Sequence, residues 1–171
     1  MAERIDQPYV TAMIHAYAAA ITHDMRDAKA SLEHAERTVA IASEHQYPFW
    51  LAVGLFASGA ALCELGDEEK GLATIERGRG LYKEMGVLST SSYFTSYLVE
   101  RYLAAGRVSE GLALTQELLE LSASNVGCGY MPELLRLRGE LLVRKGDVAE
   151  GCESLKQALA AAQAQGTALF E

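Results

Sequence analysis

Glycine inside a helix is unfavourable by roughly 0.8–1 kcal/mol against alanine, yet this chain places glycines in helical pattern repeatedly and in register. Leu55-x-x-x-Gly59-x-x-Leu62 is followed by Gly66-Asp67, then by Gly71-x-x-x-Ile75-x-x-Gly78. Gly66 returns as Gly106 and Gly146, and Gly71 as Gly111 and Gly151. A sequence keeps such residues in step where a missing side chain is needed. We therefore read Gly59, Gly71, Gly78, Gly111, Gly139 and Gly151 as points where one helix nests against its partner. Gly66, Gly106 and Gly146 differ in kind. Each closes an apolar helical run and precedes another, as a helix-ending residue in the left-handed conformation does. The unit is helix, tight turn, helix.

Helical periodicity then divides the chain into four such units, at about 8–47, 48–88, 89–130 and 131–166, with 167–171 opening a further helix. Pro8, Pro48 and Pro132 suit first helical turns, where the missing N–H has no intrahelical partner. Asp24, Asp67 and Asp147 are expected to cap the second helices, Asp147 with Glu150 in a capping-box-like pair. Half the residues are apolar and only three are proline, which argues for a packed helical chain rather than disorder or sheet. The formal charge of −8 argues against a nucleic-acid surface. Cys63, Cys128 and Cys152 show no metal-ligand spacing and read as incidental thiols of a reducing compartment. No signal-like or membrane-spanning run is present in the sequence, so the expectation is a soluble, cytoplasmic protein without a membrane partner.

The small residues recur at spacings of twelve and seven: Ala16/Ala28/Ala35, Gly59/Gly71/Gly78, Val99/Gly111/Leu118 and Gly139/Gly151/Ala158. A large residue follows the second small one by four as Leu32, Ile75 and Leu155, with Thr115 breaking the pattern. This set resembles the tetratricopeptide repeat. The period here is 40 or 43 rather than 34, which matches the length of HEAT-like repeats, but the small-residue spacing favours the tetratricopeptide type. The resemblance implies an all-α, right-handed α-α superhelix, a tetratricopeptide-like solenoid of four antiparallel helix pairs plus a truncated fifth, in a single domain. Tyr47-Pro-Phe-Trp-Leu-Ala-Val-Gly-Leu and Glu133-Leu-Leu-Arg-Leu-Arg-Gly-Glu-Leu-Leu also resemble segments in the helical tails of large bacterial signalling proteins. Those proteins join a nucleotide-cyclase or DNA-binding module to an AAA-type ATPase. That likeness implies a regulatory or scaffold role and carries over no catalytic site.

Catalytic chemistry finds no foothold. His15, His23, His34 and His45 form no His/His or His/Cys pair at helical spacing, so no metal site is expected. Gly78-Arg-Gly80 lies inside a helix, where a dinucleotide fingerprint has no place. We expect no enzyme activity and no cofactor. In a stack of helix pairs the first helices line the inner groove, and register places there Val10, Met13, Tyr17 and Ile21 from the first unit. The second supplies Val53, Phe56, Ala60 and Glu64; the third Tyr93, Ser96, Glu100 and Leu103; the fourth Glu133, Arg136, Glu140 and Arg144. The expected function is recognition of a peptide or partner helix by this groove. It stays open whether Tyr17, Phe56 and Tyr93 only pack between helices. Two alternatives are a small-ligand sensor using the apolar groove near Tyr17 and Phe56, and a homo-oligomer formed through terminal helices at Leu155, Leu159 and Ala162. Gly139→Leu is expected to destabilise strongly, and Arg136→Ala to leave melting nearly unchanged.

Overall fold

The computed structural model describes residues 7–86, 91–124 and 130–166. Cys128 and the expected fifth-unit stub at 167–171 lie outside them. The described residues form eight helices: α1 (Pro8–Asp24), α2 (Ala28–Glu44), α3 (Pro48–Glu64), α4 (Glu68–Met85), α5 (Ser91–Ala104), α6 (Val108–Ser124), α7 (Met131–Lys145) and α8 (Val148–Gln165). Consecutive helices pack as pairs, α1 with α2, α3 with α4, α5 with α6 and α7 with α8. The architecture is an all-α helical repeat. None of these helices is long and apolar enough to cross a membrane. Contacts divide the chain into two compact units, Met1–Val87 and Leu88–Glu171, each holding two pairs. Inside the first, α3 packs on both α1 and α2; inside the second, α7 packs on both α5 and α6.

The turns keep a stricter rhythm than the glycines announce. A left-handed residue stands every twenty positions: Arg26, Gln46, Gly66, Gly86, Gly106, then Gly146 and Gly166. After five of them the next N–H reaches back five residues: Asp27 to the Thr22 carbonyl at 2.9 Å, Tyr47 to Ala42 at 2.8 Å, Asp67 to Leu62 at 2.9 Å, Arg107 to Tyr102 at 2.8 Å and Asp147 to Leu142 at 2.9 Å. That bond takes up a carbonyl the ending helix leaves unpaired. Arg26 and Gln46 do the same work without glycine, at φ 61° and 56°.

Capping departs from expectation. Asp24 lies in the last turn of α1, and Asp27 is the residue that caps α2, accepting from the Ala30 N–H at 3.1 Å. Asp67 and Asp147 occupy the cap positions of α4 and α8 without a side-chain cap bond. Asp147 takes the Lys145 ammonium at 2.8 Å, and Glu150 takes Arg138 at 2.5 Å. In both pairs the nearby cation competes for the carboxylate.

The glycines nest. A Cβ on Gly59 would stand 2.6 Å from the Gly71 carbonyl oxygen, and one on Gly71 2.6 Å from the Gly59 carbonyl oxygen. At the fourth pair, a Cβ on Gly139 would meet the Gly151 oxygen at 3.0 Å and one on Gly151 the Gly139 oxygen at 2.9 Å. Gly111 is different: its neighbour is the Leu141 side chain of α7 at 2.8 Å, not α5. The first triplet also shifts. Ala19, Ser31 and Thr38, fully buried, stand forty before Gly59, Gly71 and Gly78. The Ser31 hydroxyl donates to the Ala19 carbonyl at 3.0 Å, so a small hydroxyl fills the crossing that glycine fills elsewhere. The period is therefore forty throughout. The 43-residue first step, and Ala16/Ala28/Ala35 with it, slips by one helical turn.

Candidate functional site

The slip moves the first-unit face. Forty residues before Val53 and Phe56 stand Met13 and Ala16, not Val10 and Met13. Val10 and Met13 are half-buried, whereas Tyr17 is 60% exposed with its ring edge-on to Trp50 at 6.1 Å. Phe56 is 0% exposed, its ring centroid 5.3 Å from that of Tyr82 on α4 and tilted against it, and Val53 is buried as well. Val53 and Phe56 are thus core residues of α3 and offer no surface to a partner. The physical reason is that α3 is apolar all round and is wrapped by α1, α2 and α4, so it has no free face.

The second unit does bring its site residues together. On α5, Tyr93, Tyr97 and Glu100 follow at helical spacing; on α7, Glu133, Arg136 and Glu140 do the same beside them. The Arg136 guanidinium grips Glu133 with two parallel bonds, Nε to Oε2 at 2.7 Å and Nη2 to Oε1 at 2.5 Å. Its Nη1 donates to Glu140, and Glu100 on α5 stands 3.6 Å away. Three carboxylates thus gather around one guanidinium. The hydrogen bonds it donates to Glu133, with the charges of Glu133 and Glu140, raise the Arg136 pKa above its ordinary value against the opposing effect of burial. The aromatic end of the same face is built on Tyr93, whose ring meets Tyr130 edge-on at 4.7 Å. The Tyr97 hydroxyl donates to the Tyr93 hydroxyl at 3.0 Å.

Arg144 has another task. Its Nη1 donates to the Leu103 carbonyl at 2.7 Å, tying α7 to the last turn of α5, where carbonyls lack intrahelical donors. It is a clasp between the two helices.

Two features escape a reading along the chain. His15 on α1 and His34 on α2 face each other with Nδ1 atoms 3.0 Å apart, although nineteen residues separate them. Burial first, then the charges of His34 and Arg37, lower the His15 pKa below its ordinary value. His23, buried on α1, lies 3.6 Å from the Glu64 carboxylate of α3. The forty-residue register could have revealed the second, since His23 and Cys63 occupy matching positions and Glu64 follows Cys63. No protein-family model matches the chain, and comparison with curated proteins returns no match.

Proposed function

We propose that this chain is a non-catalytic interaction module that binds a peptide or partner helix on the face shared by α5 and α7. The observation that carries the reading is the Arg136 cluster. Glu100, Glu133 and Glu140 converge there beside Tyr93, Tyr97 and Tyr130, on side-by-side first helices. Such a face suits a basic side chain on the ligand: the half-buried Glu100 and Glu140 attract it and the half-buried rings of Tyr93 and Tyr130 accept its cation, while the buried Tyr97 and Glu133 hold those groups in place. Behind α7 the nested α7–α8 crossing supplies a rigid backing, because backbones in contact cannot slide past one another without clashing. The tetratricopeptide-like small-residue spacing and the likeness of two segments to bacterial signalling tails support a regulatory, cytoplasmic role inside a larger protein.

The test is selection of a peptide library on the immobilised chain, followed by anisotropy titration of enriched peptides against parent and Glu140→Lys. Enriched peptides should carry Lys or Arg, and the variant should bind them about tenfold more weakly, equivalent to about 1.4 kcal/mol. Equal binding by the variant, or no peptide above background for the parent, would end this reading.

A further inference from the structure

The forty-residue register exposes a second kind of surface. In α3 the positions that receive the preceding pair are Gly54, Ala57 and Ala61, all buried; Gly54 faces Val39 of α2, and a Cβ there would meet it at 2.9 Å. In α7 the matching residues are Leu134, Leu137 and Leu141, also fully buried, with Leu141 against Gly111 of α6. In α1 they are Ile14, Tyr17 and Ile21, at 58%, 60% and 59% exposure. Met25 does not belong to this contrast, since its counterpart Leu65 is exposed too.

The complementary half recurs on α8. Leu155 and Leu159 take the register of Ala35 and Val39, which meet α3 inside the first unit. Ala35 is fully buried, whereas Leu155, although it rests against Gly139, is left 36% exposed and Leu159 more so. So α8 presents the face that α2 and α6 use toward the helix that follows them. Helix α1 presents the face that α3 and α7 use toward the helix before them. The α1 face is also uncharged: Asp24 is the only acid in the helix, and Lys and Arg are absent from it.

We infer that copies of this chain associate head to tail, the α8 face of one seated on the α1 face of the next. The contact repeats the α6–α7 packing already present in the second unit, large apolar side chains on the first helix included. Larger residues at Ile14, Tyr17 and Ile21 hold the axes toward the upper end of the roughly 8–10 Å range for packed helices. Because the two faces differ, the association is heterologous, and the contact itself does not stop at two copies. It is independent of the α5/α7 face, so either proposal can fail alone.

The test measures solution mass by sedimentation for parent, Tyr17→Glu and Leu159→Glu, at concentrations about a hundredfold apart. The parent should gain mass with concentration, and each variant alone should keep the one-chain mass. Mixed in equal amounts, the two variants should form a two-chain species, because each retains the face the other lacks. A parent that keeps the one-chain mass at both concentrations overturns the proposal. So does a Leu159→Glu variant that associates like the parent, which would mean α1 on α1, or a mixture that stays at the one-chain mass. Both replaced side chains lie at the surface, so helicity should be unchanged. Should either variant lose helicity, Ile21→Lys and Leu159→Lys take their places in the same three measurements.

Discussion

The second and fourth helix pairs cross in the same way and face their surroundings differently. Gly59 and Gly71 nest α3 on α4, and Gly139 and Gly151 nest α7 on α8. Yet α3 is buried around its whole circumference, whereas α7 carries Glu133, Arg136 and Glu140 along one side. The crossing point sets the architecture, and the remaining positions of the first helix are free to become core or surface. The sharpest way to break this comparison is to add one methyl at each crossing. In the second pair the obstacle is backbone at 2.6 Å from both glycines. In the fourth, Gly139 first meets the Leu155 side chain at 2.7 Å, and its backbone neighbour is at 3.0 Å. Leu155 has solvent to turn into. Gly59→Ala should therefore lose about 2–3 kcal/mol in urea unfolding, while Gly139→Ala should lose about 1 kcal/mol or less. Equal losses would mean that the two crossings are equally rigid.

The charged side of α7 gives the next largest effect. Read from sequence, Arg136→Ala is silent. In the structure Glu133 is buried and held by both arms of the guanidinium, with Glu140 and Glu100 alongside. Removing Arg136 leaves three carboxylates facing one another. After allowance for the partial exposure of the arginine, the variant should be destabilised by roughly 1–2 kcal/mol. The Glu133→Gln/Arg136→Ala double variant should recover part of that loss, and thermal unfolding of the pair would show it.

The turns allow a finer comparison within the first unit. Gly66 and Gly86 adopt the left-handed conformation freely, while Arg26 and Gln46 hold it with a Cβ in place. Such a residue is strained by roughly 1–2 kcal/mol. Arg26→Gly loses the weak, mostly exposed contact to Glu64 as well, so Gln46→Gly is the cleaner probe. It should stabilise by about 1 kcal/mol or less, with the unfolded-state entropy of glycine offsetting part of the relief. Gly80 is the control: no atom lies within 4 Å of its missing Cβ, and it sits mid-helix in α4. Gly80→Ala should gain about 0.8 kcal/mol. A loss at Gly80 would show that glycine in these helices serves something other than close approach.

Much of this was legible along the chain because periodic smallness is a local signal. Gly59, Gly71, Gly139 and Gly151 mark crossings wherever they fall, and Gly66 and Gly146 mark turns. The register of the first pair is hidden because Ser31 and Thr38 stand where glycine stands elsewhere, and a hydroxyl that bonds the facing carbonyl, as Ser31 does, carries no signature of smallness in sequence. Alanine at 16, 28 and 35 offered the same spacing one turn away. The site was less legible for a different reason. Whether Phe56 is core or groove depends on how many neighbours surround α3, and no property of Phe56 itself encodes that. Spacing puts Arg136 three residues after Glu133 and four before Glu140 on one helix, but its grip on Glu133 depends on a side-chain rotamer, which spacing leaves undetermined.

The smallest effect separates the first pair from the others by pH. Among the described residues, only α1 and α2 are joined by facing imidazoles, His15 and His34 at 3.0 Å, and only one proton fits between the two Nδ1 atoms. A second proton would set two cations side by side, near Arg37, with Glu33 offering partial relief. The folded state therefore holds His15 below its ordinary pKa, whereas the unfolded chain returns it to about 6.5. Between those two values the unfolded chain binds more protons, so stability falls as pH is lowered through about 6.5 toward the depressed folded value, and is fully present above it. Melting followed from pH 7.5 to 5.5 should show this slope in the parent and a shallower one in His15→Gln. Identical slopes would place the proton-sensitive contact outside the His15–His34 pair.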